Sequence, residues 1–357
     1  METNILRIAI VGMKRIFFLL IVSISISVYS QTNVVHISPQ AVLPQNSVTY
    51  FLPKTELVVT VRVRKSIQRA GRFANYAKRL LEFDNTITSD KTSFVIDDAI
   101  ELTSNPVPDS TRQYAIEISP KSVAYKITTD IHGVILGVNM PSALQQAVKD
   151  TEYLSAKSID TAIIFDYSVL NEDALGATTE EKMAEMAAKQ ILDIRESRME
   201  LLTGDTERGY DGAALQKVLD QLETTERKLT ELFVGKTLII SEDRVFRVAP
   251  TTAVEDEVLF RFSSVVGVLD ADDYAGSPVY ISVTPVATKL VDTKRFGIFY
   301  NNIAKADVKI SDIDKQWVDK VVVMPQFGQT AFLPAKIFDK PDTAVEFTEY
   351  GTIKSVR

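Results

Sequence analysis

The chain has 357 residues, enough for two or three domains, with 45% apolar and 24% charged side chains, the balance of a globular protein. Its 40 Lys and Arg against 47 Asp and Glu give a net charge of −7. That charge is diffuse and negative, which argues against a nucleic-acid partner, because phosphate backbones are held by a basic patch. There are no cysteines, so disulfides, thiolate metal ligands, thiol nucleophiles and a lipid-bearing N-terminal cysteine are excluded.

The N-terminal stretch reads as an export signal occupying residues 1–30, with Met13 the expected start. Lys14 and Arg15 form a charged head, and Ile16 to Val28 is an apolar run broken only by serines. Val28-Tyr29-Ser30 before Gln31 suits cleavage after a small residue. The run is short for a membrane span, and no later apolar run reaches about 18 residues. The expectation is an exported, periplasmic or outer-membrane-associated protein, not a lipoprotein, with no transmembrane helix in the mature chain.

Residues 31–170 form the first β-rich module of the predicted architecture. Asn33–Ile37 and Ser47–Leu52 are short strands between prolines. In Glu56–Lys65, Val59, Val61 and Val63 alternate with Thr60, Arg62 and Arg64, a half-buried strand of period two. From Gly71 to Phe83 the period lengthens: Phe73, Tyr76, Ala77, Leu80 and Leu81 mark a short amphipathic helix. Phe94–Leu102, Tyr114–Ile118, Ser122–Thr128 and Gly133–Asn139 read as strands. Asn105–Asp109, with two prolines, reads as a turn. Residues 140–160 show no decisive pattern, Thr161–Phe165 is a candidate strand, and Asn171–Thr178 a linker.

Residues 171–237 hold the long helices. Met183, Ala187, Ile191, Ile194 and Leu201 fall on one stripe near period 3.6, with Thr179 as N-cap. Leu215, Val218, Leu219, Leu222, Leu229, Leu232 and Phe233 form a second stripe, stopped by Gly235. Each helix is about 30–35 Å long at 1.5 Å per residue. A short connection, Gly204–Gly212, predicts an antiparallel hairpin. Residues 238–357 return to strands spaced by roughly 8–12 residues, as in a sandwich or barrel. The predicted fold is therefore α+β: two β-rich, sandwich-like modules flanking a long antiparallel helical hairpin. The terminal Lys354-Ser355-Val356-Arg357 lacks the closing aromatic of an outer-membrane barrel.

Four features invite chemistry. Gly235-Lys236-Thr237 has the end of a phosphate loop, but Thr230 stands where the motif needs its first glycine, and the glycine ends a helix. Asp270, Asp272 and Asp273 are weak candidates for calcium, since Tyr274 and Ala275 occupy positions where an EF-hand loop wants an oxygen ligand and glycine. Arg62 and Arg64, with Lys65 and Arg69, line a strand face that fits an anionic partner or an ordinary solvated surface. Trp317, the one tryptophan, is a candidate binding residue with Tyr274, Tyr280, Phe299 and Tyr300, on a sugar-stacking platform or as a protein anchor. Aromatics at strand positions otherwise belong to cores. No nucleophile elbow, zinc-protease motif or dinucleotide fingerprint occurs, so no catalytic residue and no cofactor is assigned.

Several short stretches carry a resemblance: Tyr50-Phe51-Leu52-Pro53-Lys54-Thr55, Gly71-Arg72-Phe73-Ala74-Asn75-Tyr76-Ala77, Leu201-Leu202-Thr203-Gly204 and Leu232-Phe233-Val234-Gly235-Lys236-Thr237. With them the chain resembles an uncharacterised secreted family of the Bacteroidota that bears a domain-of-unknown-function name. This member departs at Arg72, where the family often has proline. The resemblance implies an envelope protein and transfers no catalytic residue. The expected function is non-enzymatic binding of an envelope protein, as an accessory subunit of an assembly. A glycan-binding module and a carboxylate-dependent hydrolase are the alternatives.

Overall fold

The computed structural model describes residues 34–37, 47–117, 126–140, 162–204, 212–286, 297–334, 337–338 and 343–357. The predicted signal, most of the 140–160 stretch and the turn between the long helices lie outside these residues. In chain order the strands are β1 (Val34–His36), β2 (Ser47–Arg69), β3 (Lys91–Glu117), β4 (Ile127–Thr129), β5 (Ile135–Val138), β6 (Lys236–Val248), β7 (Val254–Ser263), β8 (Gly267–Leu269), β9 (Ser277–Pro285), β10 (Gly297–Asn301), β11 (Lys305–Ser311), β12 (Gln316–Val323), β13 (Thr330–Pro334), β14 (Val345–Phe347) and β15 (Ile353–Val356). The helices are α1 (Ala77–Leu81), α2 (Glu172–Leu175), α3 (Glu180–Thr203) and α4 (Gly212–Val234). The class is α+β, with antiparallel sheets.

The organising element is the ribbon of β2 and β3, paired from Ser47↔Glu117 to Gln68↔Lys91. It is much longer than the strands predicted there. Asn105–Asp109, expected as a turn, is strand: Pro106 lies opposite Thr55 and Pro108 opposite Pro53. Prolines are tolerated because, among the described residues, β1 pairs with β3 only around Tyr114–Ile116, so at the prolines β3 is an edge and needs no outward donor. The expected strands Leu238–Ser241 and Arg244–Val248 are likewise one, β6, running against β2 from Leu57↔Val248 to Arg69↔Lys236. Glu242 and Asp243 read as a break, but an edge strand can carry charges on either face. Of the candidate strand Thr161–Phe165, the described residues 162–165 carry no strand pairing.

Three cores are strung along this ribbon. In its middle, Val59, Val61, Val63, Ile100 and Leu102 pack against Phe260, Ile281, Val283, Val308 and Ile310 of the five-stranded sheet β12-β11-β9-β7-β8. At one end Tyr50, Leu52, Tyr114 and Ile116 meet β5, β10, β13 and β14 through Ile135, Ile298, Leu333 and Val345. At the other, Phe73 and Ala77 meet the helices. Strand order crosses the boundary that the sequence set at residue 237: β6 completes the sheet of β2 and β3, and β14 pairs with β5.

Helix α3 is capped as its sequence predicts, with the Thr179 hydroxyl accepting the Lys182 N–H at 3.2 Å. Its N-terminal half, through Ala184, Ala187, Ala188 and Ile191, packs with the C-terminal half of α4, through Leu229, Leu232 and Phe233. The small alanines let the backbones approach. Gly235 then takes φ +83°, and a Cβ there would lie 2.6 Å from the Arg69 carbonyl oxygen. Only glycine serves at that stop. Among the described residues no helix is long and apolar enough to cross a membrane.

Candidate functional site

Sequence position gives no hint of the most buried polar cluster. Between Phe51 and Pro53 the β2–β3 register slips, and β3 bulges over residues 109–112. The bulge turns Asp109 inward. Its carboxylate accepts the Thr111 N–H at 3.0 Å, the Thr111 hydroxyl at 2.7 Å and the Arg112 Nε–H at 2.8 Å. Arg112 reaches on to the Asn301 side-chain oxygen at 3.0 Å. Asn301, fully buried, donates to the carbonyls of Pro53 and Tyr350, each at 2.9 Å. Burial pushes the Asp109 carboxyl up, but the hydrogen bonds from Thr111 and Arg112 outweigh it and hold the group below its ordinary value. Gln326 adds a second clamp, accepting the Thr55 N–H at 2.9 Å and donating to the Thr55 carbonyl at 2.8 Å. No buried side-chain polar atom among the described residues lacks a partner. This network ties the middle core to the end core, and its acid is fully engaged in doing so.

A shallow depression of about 200 Å³ opens beside it, between β3 and β12, lined by Leu102, Thr103, Ser104, Lys320, Val321, Val322, Val323 and Tyr350. Ser104 and Tyr350 share a hydrogen bond at 3.2 Å across it. No carboxylate lines it, so it brings together no pair of acids of the kind a glycoside hydrolase needs.

The residues singled out from sequence are scattered. Arg62 is held by Asp243 of β6 through two hydrogen bonds, at 2.8 and 3.2 Å, and Arg64 by Asp97 at 3.0 Å. Lys65 lies over the Phe94 ring and Arg69 binds Asp90 at 2.6 Å. The three arginines of the row are each paired with a carboxylate, from β6, from β3 and from the residue just before β3. Asp270, Asp272 and Asp273 lie on an exposed turn already organised by a cation, for Arg261 donates to the carbonyls of Ala271 and Gly276 and lies over Tyr274 at 4.5 Å. No group of three His, Asp or Glu among the described residues is placed to hold a metal.

Trp317 sits where β12 slips register against β11, between the pairs Ile310↔Val318 and Ser311↔Gln316. The extra residue turns its ring onto the middle core, with Lys315 above it at 5.8 Å. Phe299 and Tyr300 pack on the end core, and Tyr274, 84% exposed, meets Arg261. The structure does not assemble these aromatics into one surface. His132 is in an Asx turn, its N–H bound to Asp130, and His36 contacts the Thr111 carbonyl.

The long helices leave more apolar surface uncovered. Beyond the buried base, Leu192, Met199 and Leu202 of α3 are 51%, 63% and 63% exposed. Leu215, Val218, Leu219 and Leu222 of α4 are only half-buried. Two ion pairs set the geometry here: Arg195 and Arg198 reach across to the two oxygens of Glu226 at 2.6 and 2.8 Å. The sequence stripe through Met183 and Leu201 describes the side turned to α4. Leu192, Met199 and Leu202 lie off it, and their own spacing of seven and three was the signal for a second face.

Lys236, the first residue of β6, binds Glu231 at 2.6 Å and the Ile164 carbonyl at 3.0 Å. The Gly-Lys-Thr sequence thus closes a helix onto a strand. Two of the resembling motifs meet at that point: the Phe73 N–H donates to the Leu232 carbonyl at 2.8 Å, and the Phe73 and Phe233 rings are 5.2 Å apart. Arg72 lies over Phe73 and Tyr167, at 6.0 and 5.9 Å.

The fold and these surfaces define an α+β protein built on one long antiparallel ribbon, with its polar residues engaged in holding modules together. Residues 46–353 match the family described as "Domain of unknown function (DUF4831)", and the chain belongs to that family. No curated protein and no solved structure matches it.

Proposed function

We propose that this chain is an exported, non-enzymatic protein of the cell envelope that docks a protein partner on the distal half of α3 and α4. The observation that carries the reading is the exposed row Leu192, Met199 and Leu202 on a helix whose base is well packed. Large apolar side chains grouped on a protruding helix cost solubility unless something covers them. The helix-in-groove mode of recognition uses anchors at this spacing. The signal-like N-terminus and the absence of a nucleophile or cofactor motif from the sequence support the compartment and the non-enzymatic class.

The test is affinity capture from envelope extracts under mild crosslinking, comparing the wild type with a Leu192→Glu, Met199→Glu, Leu202→Glu triple variant. The expected result is one or a few proteins captured by the wild type and lost with the variant, at unchanged circular dichroism. Capture of the same proteins by both would remove the helices from the binding surface.

A further inference from the structure

We propose that β6 is the site at which two copies of this chain pair, antiparallel across a two-fold axis at Asp243. Among the described residues strand β6 is the last in its sheet, bonded to β2 on one side only. Its residues Ser241, Glu242, Asp243, Arg244 and Val245 are all exposed. Consecutive exposure on both faces of a strand is the mark of an edge that nothing covers.

The charges on that edge are of two kinds. Those on the outer face are already engaged: Asp243 with Arg62, and Arg247 with Glu56 at 2.9 Å. Glu242 and Arg244 lie on the other face, opposite Val63 and Val61 of β2, and neither has an ion-pair partner among the described residues. They are two positions apart and of opposite sign. Such a pair is self-complementary in an antiparallel strand, since a two-fold through the residue between them places each Glu242 opposite the Arg244 of the second copy.

The same register aligns the rest of that face. Ile240 falls opposite the second Phe246, and Leu238 opposite the second Val248. On the outer face Ser241 falls opposite Val245. The two Asp243 residues meet at the axis, each neutralised by its own Arg62 through two hydrogen bonds. Moving the axis one residue along, to Arg244, would instead oppose Glu242 to Phe246 and leave two arginines face to face. Edge charges ordinarily repel further strands; this arrangement repels most strands but fits its own copy.

Light scattering and sedimentation equilibrium on the purified mature chain test the pairing. The wild type is expected to dimerise. Glu242→Arg alone, or Arg244→Glu alone, turns two attractive cross-strand pairs into two repulsive ones, and the dimer weakens by about tenfold or more. The double variant Glu242→Arg, Arg244→Glu restores it. Because the chain has no cysteine, Asp243→Cys supplies a second, register-specific reading: on mild oxidation it crosslinks to its own copy, whereas Arg247→Cys does not. A wild type that stays monomeric at every concentration overturns the proposal. So does a dimer indifferent to both single charge reversals, or an Asp243→Cys variant that fails to crosslink.

Discussion

The Tyr50 hydroxyl takes both backbone groups of Phe299, accepting its N–H at 2.9 Å and donating to its carbonyl at 3.3 Å. The two residues are 249 positions apart in sequence. Tyr50 is fully buried, and its ring stacks on Tyr114, which stacks on Phe299 at 4.6 Å. One side chain on β2 thereby anchors β10, and with it the end core that gathers strands from both halves of the chain.

Replacing Tyr50 by Phe keeps the ring and removes only the hydroxyl. It leaves the Phe299 backbone without that partner, and the expected cost is about 1–3 kcal/mol. Urea unfolding is the measurement, with an unchanged slope and a lower midpoint. The same substitution changes the alkaline limb. Burial, chiefly, raises the folded-state ionisation of Tyr50 above the ordinary tyrosine value of about 10. The neutral phenol therefore contributes stability that is whole below that pH and is lost as pH rises beyond it. Tyr50→Phe should flatten the fall in stability above about pH 10, and an identical alkaline slope in both proteins would discount the linkage.

The two long helices were legible because their information is local, whereas Glu172–Leu175, read as part of a linker, forms the single turn of α2 capped by Asn171. Thr179, the apolar stripes and Gly235 lie within the segments that they shape. The same holds for the alternation from Val59 to Val63. The length of β2 and β3 was hidden because Pro106 and Pro108 are turn residues by local rule, and only the missing outer neighbour makes them acceptable in a strand. The polar junction was hidden for a stronger reason. Asp109 and Arg112 are three apart, but Asn301 reaches Arg112, and Gln326 reaches Thr55, through pairings that no pattern in a single sequence records. Leu192, Met199 and Leu202 were legible in principle, and were overlooked because the stripe facing α4 was the stronger signal.

Two glycines separate backbone strain from close approach. Gly204 and Gly235 both end helices with positive φ, at +76° and +83°. A Cβ at Gly204 meets nothing within 4 Å, whereas one at Gly235 meets the Arg69 carbonyl oxygen at 2.6 Å and the Ile87 Cβ at 2.9 Å. Gly204→Ala should cost about 1 kcal/mol, the left-handed penalty alone. Gly235→Ala should cost about 3 kcal/mol or more, because the backbone must also shift. Thermal melts of the two variants should rank in that order; equal shifts would mean that the end of α4 relaxes freely.

Trp317 is the sole tryptophan and packs on the middle core, so its fluorescence reports that core. The expected emission is blue-shifted in the native state and moves red on unfolding, together with far-ultraviolet circular dichroism if the cores unfold as one. Soluble glycan fragments should leave it unchanged. A saturable change in emission on adding one of them would revive the sugar-stacking platform.

The junction acid gives the last prediction. Asp109 is held below its ordinary value, so its carboxylate contributes stability that is present above the unfolded value of about 3.9 and is lost as pH falls through the lower folded value. Asp109→Asn removes the charge that Arg112 faces while keeping the size of the side chain. At neutral pH the substitution should cost about 3 kcal/mol, within the range for breaking one side of a buried pair. In acid, once the pH has fallen through that lower folded value, the two proteins should converge, because the wild-type carboxyl is then protonated as well. Denaturant midpoints at neutral and acid pH supply the comparison. A gap that persists undiminished into acid would mean that the substitution acts through geometry at the bulge and not through the charge of Asp109.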